Sequence, residues 1–320
     1  MHNPLSKHQV FDLSQQSVRD LAWSLWGPAL LDHAAPYTET DQFPLDLDWL
    51  KALDKDSRTL TEYLATKNTY LLGTYFEALW QFYFSHHPRF KHSINNLQVF
   101  ASQIEEKNTK QTLGEFDVLT QDVDIQRYHV ELTCKFYLEV PINSQQPLWL
   151  GPNCRDRLDI KYDKTHNKQL PLLFSEQGEK AAREAFPDSP IQQFQQIAIW
   201  RGHLFSQNHW MKQQDLATKL ETLEMTGHQG WIIANKKRWL SPAILKQGDS
   251  SVLNTSQLID EVNQSLQEKS NPLMLILLNF DKTRQQWLQC NQFFVTPNSW
   301  PHGKLADSAE TPLRPCSPPV

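Results

Sequence analysis

LGEFDVLTQDVDIQRYHVELTCKFYL, residues 113–138, is the stretch on which the reading of this chain turns. At the two-residue period of a β-strand, its second half separates into two rows. Tyr128, Val130, Leu132, Cys134, Phe136 and Leu138 form an unbroken apolar row, and His129, Glu131, Thr133, Lys135 and Tyr137 form the other. In the first half, Phe116 and Val118 fall on one side while Glu115 and Asp117 fall on the opposite side. Two neighbouring strands would then offer acids and a lysine on one surface. Carboxylate oxygens can hold Mg²⁺, and a lysine ammonium can sit beside an attacked phosphate. A solvated face of an antiparallel sheet gives the same alternation with no chemistry attached, so the pattern alone does not choose between them.

The chain around this stretch is long enough for a real core. Its 320 residues set a soft expectation of about two domains, and a chain of this length buries roughly three quarters of its unfolded surface. Eleven Trp and sixteen Phe supply core material. The four cysteines, Cys134, Cys154, Cys290 and Cys316, are scattered without a CxxC pair, which suits a reduced protein lacking a structural zinc site. The first residues show no apolar signal segment, and the longest apolar run, residues 273–278, is far too short to span a membrane. A cytoplasmic protein without membrane contact is therefore expected. A net charge of −5 argues against a general nucleic-acid coat but leaves room for a local basic groove.

Outward from the central stretch, apolar spacing predicts helices ending at Gly27-Pro28, over residues 49–67 and over residues 69–85. A strand at 97–101 precedes the two strands already described. Charged residues 153–169 and residues 192–207 read as helices, 231–234 as a short strand and 256–269 as a helix. Residues 273–280 and 286–295 read as paired strands. This gives an α/β fold: a mixed central sheet flanked by helices, with N-terminal helices and a C-terminal α/β extension. The expected divisions are a helical extension at 1–68, a core at 69–190, an α/β elaboration at 191–297 and a disordered Pro-rich tail at 298–320.

Three further features bear on chemistry. Glu77 sits in the apolar helix segment YLLGTYFEALWQFYF, where an ionised carboxylate is costly unless it is paired, holds a cation or reaches water at the helix edge. The segment GPNCRDRLDIKYDKTHNKQLP carries Arg155, Arg157, Lys161 and His166, and Asp156, Asp159, Asp163 and His166 fall close to one helical face. Phosphate contacts are one reading of it, an exposed helix laced with charge pairs the other. Lys236, Lys237 and Arg238 lie between Trp231 and Trp239, an arrangement that suits single-stranded nucleic acid or a solvated turn. GxGxxG, Walker A, GxSxG and HExxH motifs are all missing, which leaves dinucleotide, P-loop, serine-hydrolase and zincin chemistry without support.

Taken jointly, LLGTYFEALWQFYFSHHP, TLGEFDVL, HVELTCKFYL and GPNCRDRLDIKYDKTHNKQLP resemble a bacterial family of unknown function grouped with the PD-(D/E)XK nuclease-like superfamily. The resemblance implies a restriction-endonuclease-like core with Glu77 as the helix acid, Asp117 as the strand aspartate and Glu131 as the second strand acid. It implies Mg²⁺ or Mn²⁺ held by Asp117 and Glu131 with help from Glu77, and a nucleic-acid substrate cleaved at a phosphodiester. Arg155, Arg157, Lys161 and His166 become candidate nucleic-acid contacts. In the superfamily pattern the lysine stands two residues after the second acid, and here that position is Thr133. Lys135 is the nearest substitute, about 13 Å along the strand from Glu131 at ~3.3 Å per residue. A strand bend, or another lysine such as Lys161, would restore the geometry. Without either, a nuclease-fold protein serving as a binding or scaffold subunit is the alternative.

Overall fold

In the computed structural model, residues 10–31, 43–101, 111–141, 147–187, 190–223, 228–269 and 271–303 are described. The elements run α1 (Gln16–Trp26), α2 (Leu47–Lys55), α3 (Arg58–Ala65), α4 (Leu72–His86), β1 (Phe90–Phe100), β2 (Thr112–Asp122), β3 (Arg127–Val140) and β4 (Leu148–Leu150). They continue with α5 (Leu158–Lys164), α6 (Glu176–Ala185), β5 (Phe194–Phe205), β6 (Trp210–Lys212), α7 (Leu216–Glu221) and β7 (Gln229–Ala234). The last are β8 (Ile244–Lys246), α8 (Thr255–Glu268), β9 (Leu273–Asp281) and β10 (Gln286–Thr296). The fold is α/β, and the described residues form two five-stranded sheets. Of the Pro-rich tail expected at 298–320, residues from 304 onward lie outside the described residues.

The first sheet is ordered β1-β2-β3-β4, with β5 also on β3. β1, β2 and β3 form an antiparallel meander. Contacts between β3 and the β5 segment advance in one sense, Arg127 with Gln193, His129 with Gln196 and Lys135 with Gly202, so those strands run parallel. A parallel neighbour needs a crossover, here the helical segment from α5 to α6. Gly202, at φ +136°, brings its backbone against the Lys135 carbonyl, a position no Cβ can share. The second sheet is ordered β6-β10-β9-β7, with β8 on β10, and β6 lies parallel to β10.

Among the described residues the chain clusters into two compact units, one of residues 20–134 with 160–201, the other of residues 10–19 and 135–159 with 202–303. In the first unit α4 supplies the core. Phe76, Trp80, Phe82, Tyr83 and Phe84 are all essentially buried, and Phe43, Trp49 and Phe90 meet them edge-on or tilted. In the second unit Leu258, Val262 and Leu266 of α8 pack on Trp231, Leu275, Leu277 and Phe293 of the sheet. α8 opens with a capping box, in which Asn254 accepts the Gln257 N–H and Gln257 accepts the Asn254 N–H.

Three expectations are corrected. Residues 192–207 form strand β5, not a helix, because the open edge of β3 takes them up. Ile197, Ile199 and Trp200 are good strand formers, and burial on both faces hides the two-residue period. The helix expected at 49–67 is two helices. Asp56 accepts the Arg58 N–H and pairs with its guanidinium, and this local bonding breaks the helical run. The helix expected at 153–169 begins only at Leu158, since Gly151 N–H bonds back to Asp156 O and Cys154 adopts φ +53° in the loop before it. Of the expected face of Asp156, Asp159, Asp163 and His166, Asp156 lies in the loop before the helix, Asp159 and Asp163 within α5 and His166 in the turn that follows it.

Candidate functional site

β3 is buried on both faces from Arg127 to Thr133, so the polar row is not a solvated face; Glu131 is 1 % exposed. The β2–β3 ladder ends at the rung Val118–Val130. One residue beyond it on each strand stand Asp117 and Glu131, and their carboxylates take the place of the missing rungs. Asp117 Oδ2 accepts the Leu132 N–H at 2.8 Å. Glu131 accepts from the Asp117 backbone and contacts its carboxyl. β2 is irregular at this point. Phe116 and Leu119, three residues apart, join one cluster with Leu173 and Ala182. On β1, Asn96 lies between the rungs Asn95–Val118 and Leu97–Phe116 with φ +54°. A left-handed asparagine beside a broken ladder is the kind of local distortion found where a site re-aims side chains.

Each acid is held up by its surroundings. Burial raises Asp117 to about 7, and the nearby Glu131 charge adds to it. Burial likewise raises Glu131 to about 7. Glu77 on α4 is pushed to about 7, first by burial and then by repulsion from Asp117 and Glu115. Lys161 is the cation that opposes the shift at all three. Three carboxyls therefore share the field of one lysine, and burial, ahead of any repulsion, holds each of them well above the usual carboxylate range.

The supporting shell fixes Glu131 most tightly. Its Oε1 lies 2.9 Å from His129 Nε2 and its Oε2 accepts from Gln169 Nε2 at 2.6 Å. His129 is fully buried, and burial drives its pKa down to about 4, so the contact is a hydrogen bond from a neutral ring. Gln196 Nε2, an amide donor, stands 3.2 Å from His129 Nδ1. Nδ1 is thereby the acceptor, and Nε2 carries the proton that points at Glu131. Gln169 Oε1 in turn accepts from Lys161 Nζ at 2.9 Å and from the Thr165 hydroxyl at 3.1 Å. The turn that places Thr165 and Gln169 is π-helical, residues Thr165–Gln169, a form often met at functional sites. On the other flank, Gln81 Nε2 donates to Asn96 Oδ1, and Asn96 Nδ2 donates to Glu115.

Glu77, Asp117, Glu131 and Lys161 are thus brought together. Lys135 is not among them: its amine pairs with Asp156 at 2.5 Å. Arg157, buried, grips Asp159 at 2.7 Å. His166 stacks on Tyr162 with ring centroids 3.9 Å apart. Arg155 lines a separate cleft in the other unit. His129 stands two residues before Glu131, which strand periodicity makes visible. Nothing in the sequence marks Gln169, because a π-helical turn sets its direction.

Among the described residues no group of three or more His, Cys, Asp and Glu side chains is set as a metal cage. Mg²⁺ does not require one, since one or two carboxylates with water and phosphate oxygens complete its shell. The Asp117–Glu131 pair fits that need in donor chemistry: hard carboxyl oxygens on adjacent strands, both raised by burial.

The fold and the site define an α/β protein with a half-buried acid–lysine cluster at the end of a broken strand ladder. Over residues 19–296 the chain matches the family described as Domain of unknown function (DUF1853), and it belongs to that family. No curated protein and no solved structure matches it. Among the described residues no helix is long and apolar enough to cross a membrane.

Proposed function

We propose that the chain is a divalent-metal-dependent phosphodiester hydrolase of the PD-(D/E)XK nuclease-like kind, acting on nucleic acid. The observation that carries this reading is the convergence of Glu77, Asp117 and Glu131 around Lys161, with every carboxyl pushed up to about 7. Such a cluster is costly to fold unless cationic charge arrives, and a site for a reaction at phosphate needs that charge. The element order supports it as well. Helix α4 with its acid, the meander β1-β2-β3 with two acids, a helical crossover and the parallel strand β5 follow the order helix, three strands, helix, strand.

In this reading Asp117 and Glu131 hold Mg²⁺ or Mn²⁺, which when bound supplies Lewis-acid charge and lowers the pKa of coordinated water. Glu77 adds negative potential from α4 and orients water at the cluster. Lys161, steadied by Gln169, places its ammonium beside the attacked phosphate and compensates the charge that develops there. Lys135, engaged by Asp156, has no part in this chemistry. His129 holds Glu131 in one orientation from a fixed tautomer.

A second reading is favoured by the closed network on Glu131, both of whose oxygens already accept hydrogen bonds within the protein. It makes the chain a nuclease-fold protein without turnover that binds nucleic acid or scaffolds other subunits. Calorimetric titration with Mg²⁺ and Mn²⁺ at pH 8, joined to a cleavage assay on single- and double-stranded DNA and RNA, separates the two. Metal binding and cleavage that both vanish in Asp117→Asn support the hydrolase. Metal binding with no cleavage of any substrate supports the second reading, and failure to bind metal refutes the site.

A further inference from the structure

A second site lies wholly within the other unit. A cleft of about 440 Å³ opens between the loop that follows β4 and the turn that follows β7, within the ~300–1,000 Å³ range of small-molecule sites. Arg155, Lys236 and His302 converge on it from three separate segments, and none of the residues lining it is acidic. In a chain with a net charge of −5, a cleft whose ionisable groups are all basic is a local reversal of sign. Neither Arg155 nor Lys236 makes an ion pair among the described residues, in contrast to Lys135 and Arg157 close by in sequence, which hold Asp156 and Asp159.

The cleft is built rather than incidental. Asn153 and Arg155 are presented by a loop fastened at three points: Gly151 N–H to Asp156 O, Cys154 N–H to Gly151 O, and Trp300 Nε1–H to Pro152 O at 2.9 Å. The opposite wall is Trp239. Its ring meets Phe136 and Phe294 edge-on at 5.3 and 5.1 Å, and its Nε1–H donates to Ala234 O. Lys236 stands three residues before it in a 3-10 turn bonded to Asn235 and followed by the Trp239 N–H to Lys236 O bond. Arg155 and Lys236 offer a guanidinium fork and an ammonium, the donors that bind phosphate best. Asn153 and Asn271 add amide donors and acceptors, and the largely buried Trp239 adds an apolar wall. The two basic stretches of the sequence, which looked unrelated, supply one cation each.

We propose that this cleft binds the phosphate ester of a nucleoside, with Arg155 and Lys236 on the phosphoryl oxygens and the planar ring toward Trp239. It is independent of the acid cluster and of its metal. The shared chemistry can be met by a free mononucleotide or by the 5′-phosphorylated end of a nucleic acid.

The test is titration calorimetry of the full chain in EDTA, which silences any metal at the acid cluster. The probes are inorganic phosphate, 5′-mononucleotides and a 5′-phosphorylated single-stranded hexanucleotide. A saturable site is expected for at least one of the nucleoside phosphates, at least tenfold tighter than for inorganic phosphate. Arg155→Ala with Lys236→Ala should weaken it by roughly a hundredfold, the loss of two charge-assisted contacts, with thermal unfolding unchanged. Asp117→Asn should bind as wild type, so loss of the hydrolase reading leaves this one standing. Preference for the mononucleotide assigns the free nucleotide, and preference for the hexanucleotide assigns a nucleic-acid end. No saturable binding, equal binding of inorganic phosphate, or unchanged binding in the double variant overturns the proposal.

Discussion

Replacing Asp117 by Asn tests the electrostatics of the acid cluster through folding stability, without any assumption about substrate. Asn is isosteric. Its Oδ1 can keep the Leu132 N–H bond, and its amide can donate toward Glu131. In the folded chain Asp117 rises from 3.8 to about 7. At ~1.4 kcal/mol per tenfold change in acidity this corresponds to at most about 4 kcal/mol. The sign runs opposite to that of a salt-bridged carboxylate. The folded state holds the proton more tightly than the unfolded state, so between pH 4 and pH 7 stability is lost as pH rises, and the full cost stands above pH 7. Glu77 feels the Asp117 charge as repulsion while Glu131 is hydrogen-bonded by Asp117, so the three groups titrate as a coupled set and their costs do not add. His87 and His129, pushed down by burial, work in the opposite direction through the same region. The His87 contribution cancels in the difference between variant and wild type, which is therefore the quantity to measure, whereas His129, held up by the Asp117 charge, changes with the substitution. Urea unfolding in EDTA should show Asp117→Asn matching wild type near pH 4 and exceeding it by about 2–4 kcal/mol at pH 8. Mg²⁺ at pH 8 should stabilise wild type and leave the variant unmoved. A variant less stable than wild type at pH 8, or a difference independent of pH, would refute the raised Asp117 carboxyl.

Three further outcomes are expected. Lys161→Met should abolish cleavage, raise the three acids further and so extend the loss of stability with rising pH to above pH 7, since a cation opposing all three acids is gone; unfolding curves across pH 5–9 read this directly. Lys135→Ala should retain cleavage and cost less than about 1 kcal/mol, because its ion pair with Asp156 is partly exposed; loss of turnover would return the lysine role to Lys135. Gly202→Ala should destabilise by about 3 kcal/mol or more in denaturant titrations, since its φ of +136° and the facing Lys135 carbonyl leave no place for a Cβ.

Much of the framework was legible in the residues themselves. The apolar helix around Glu77, the two acidic strands and the terminal hairpin follow from periodicity, because each buries a face whose spacing matches its own repeat. β5 escaped this logic. Its centre, Ile197 to Trp200, is a continuous apolar run with no alternation to display, and its pairing with β3 depends on a partner more than fifty residues away in sequence. Glu77, Asp117 and Glu131 could be named from type and position, and their types alone brought hard-cation chemistry into view. Whether the Glu131 row faced water or protein was open in the sequence, since alternation reports two faces and not what covers them. Only the tertiary structure buried it. The lysine is the sharpest case. Distance along a strand left Lys135 as the nearest substitute, yet Asp156 claims its amine while Lys161 reaches the acids from α5. The sequence fixes which groups are available to one another, and through-space packing of a crossover helix and a π-helical turn decides which of them meet, because electrostatic interaction depends on separation in space and not along the chain.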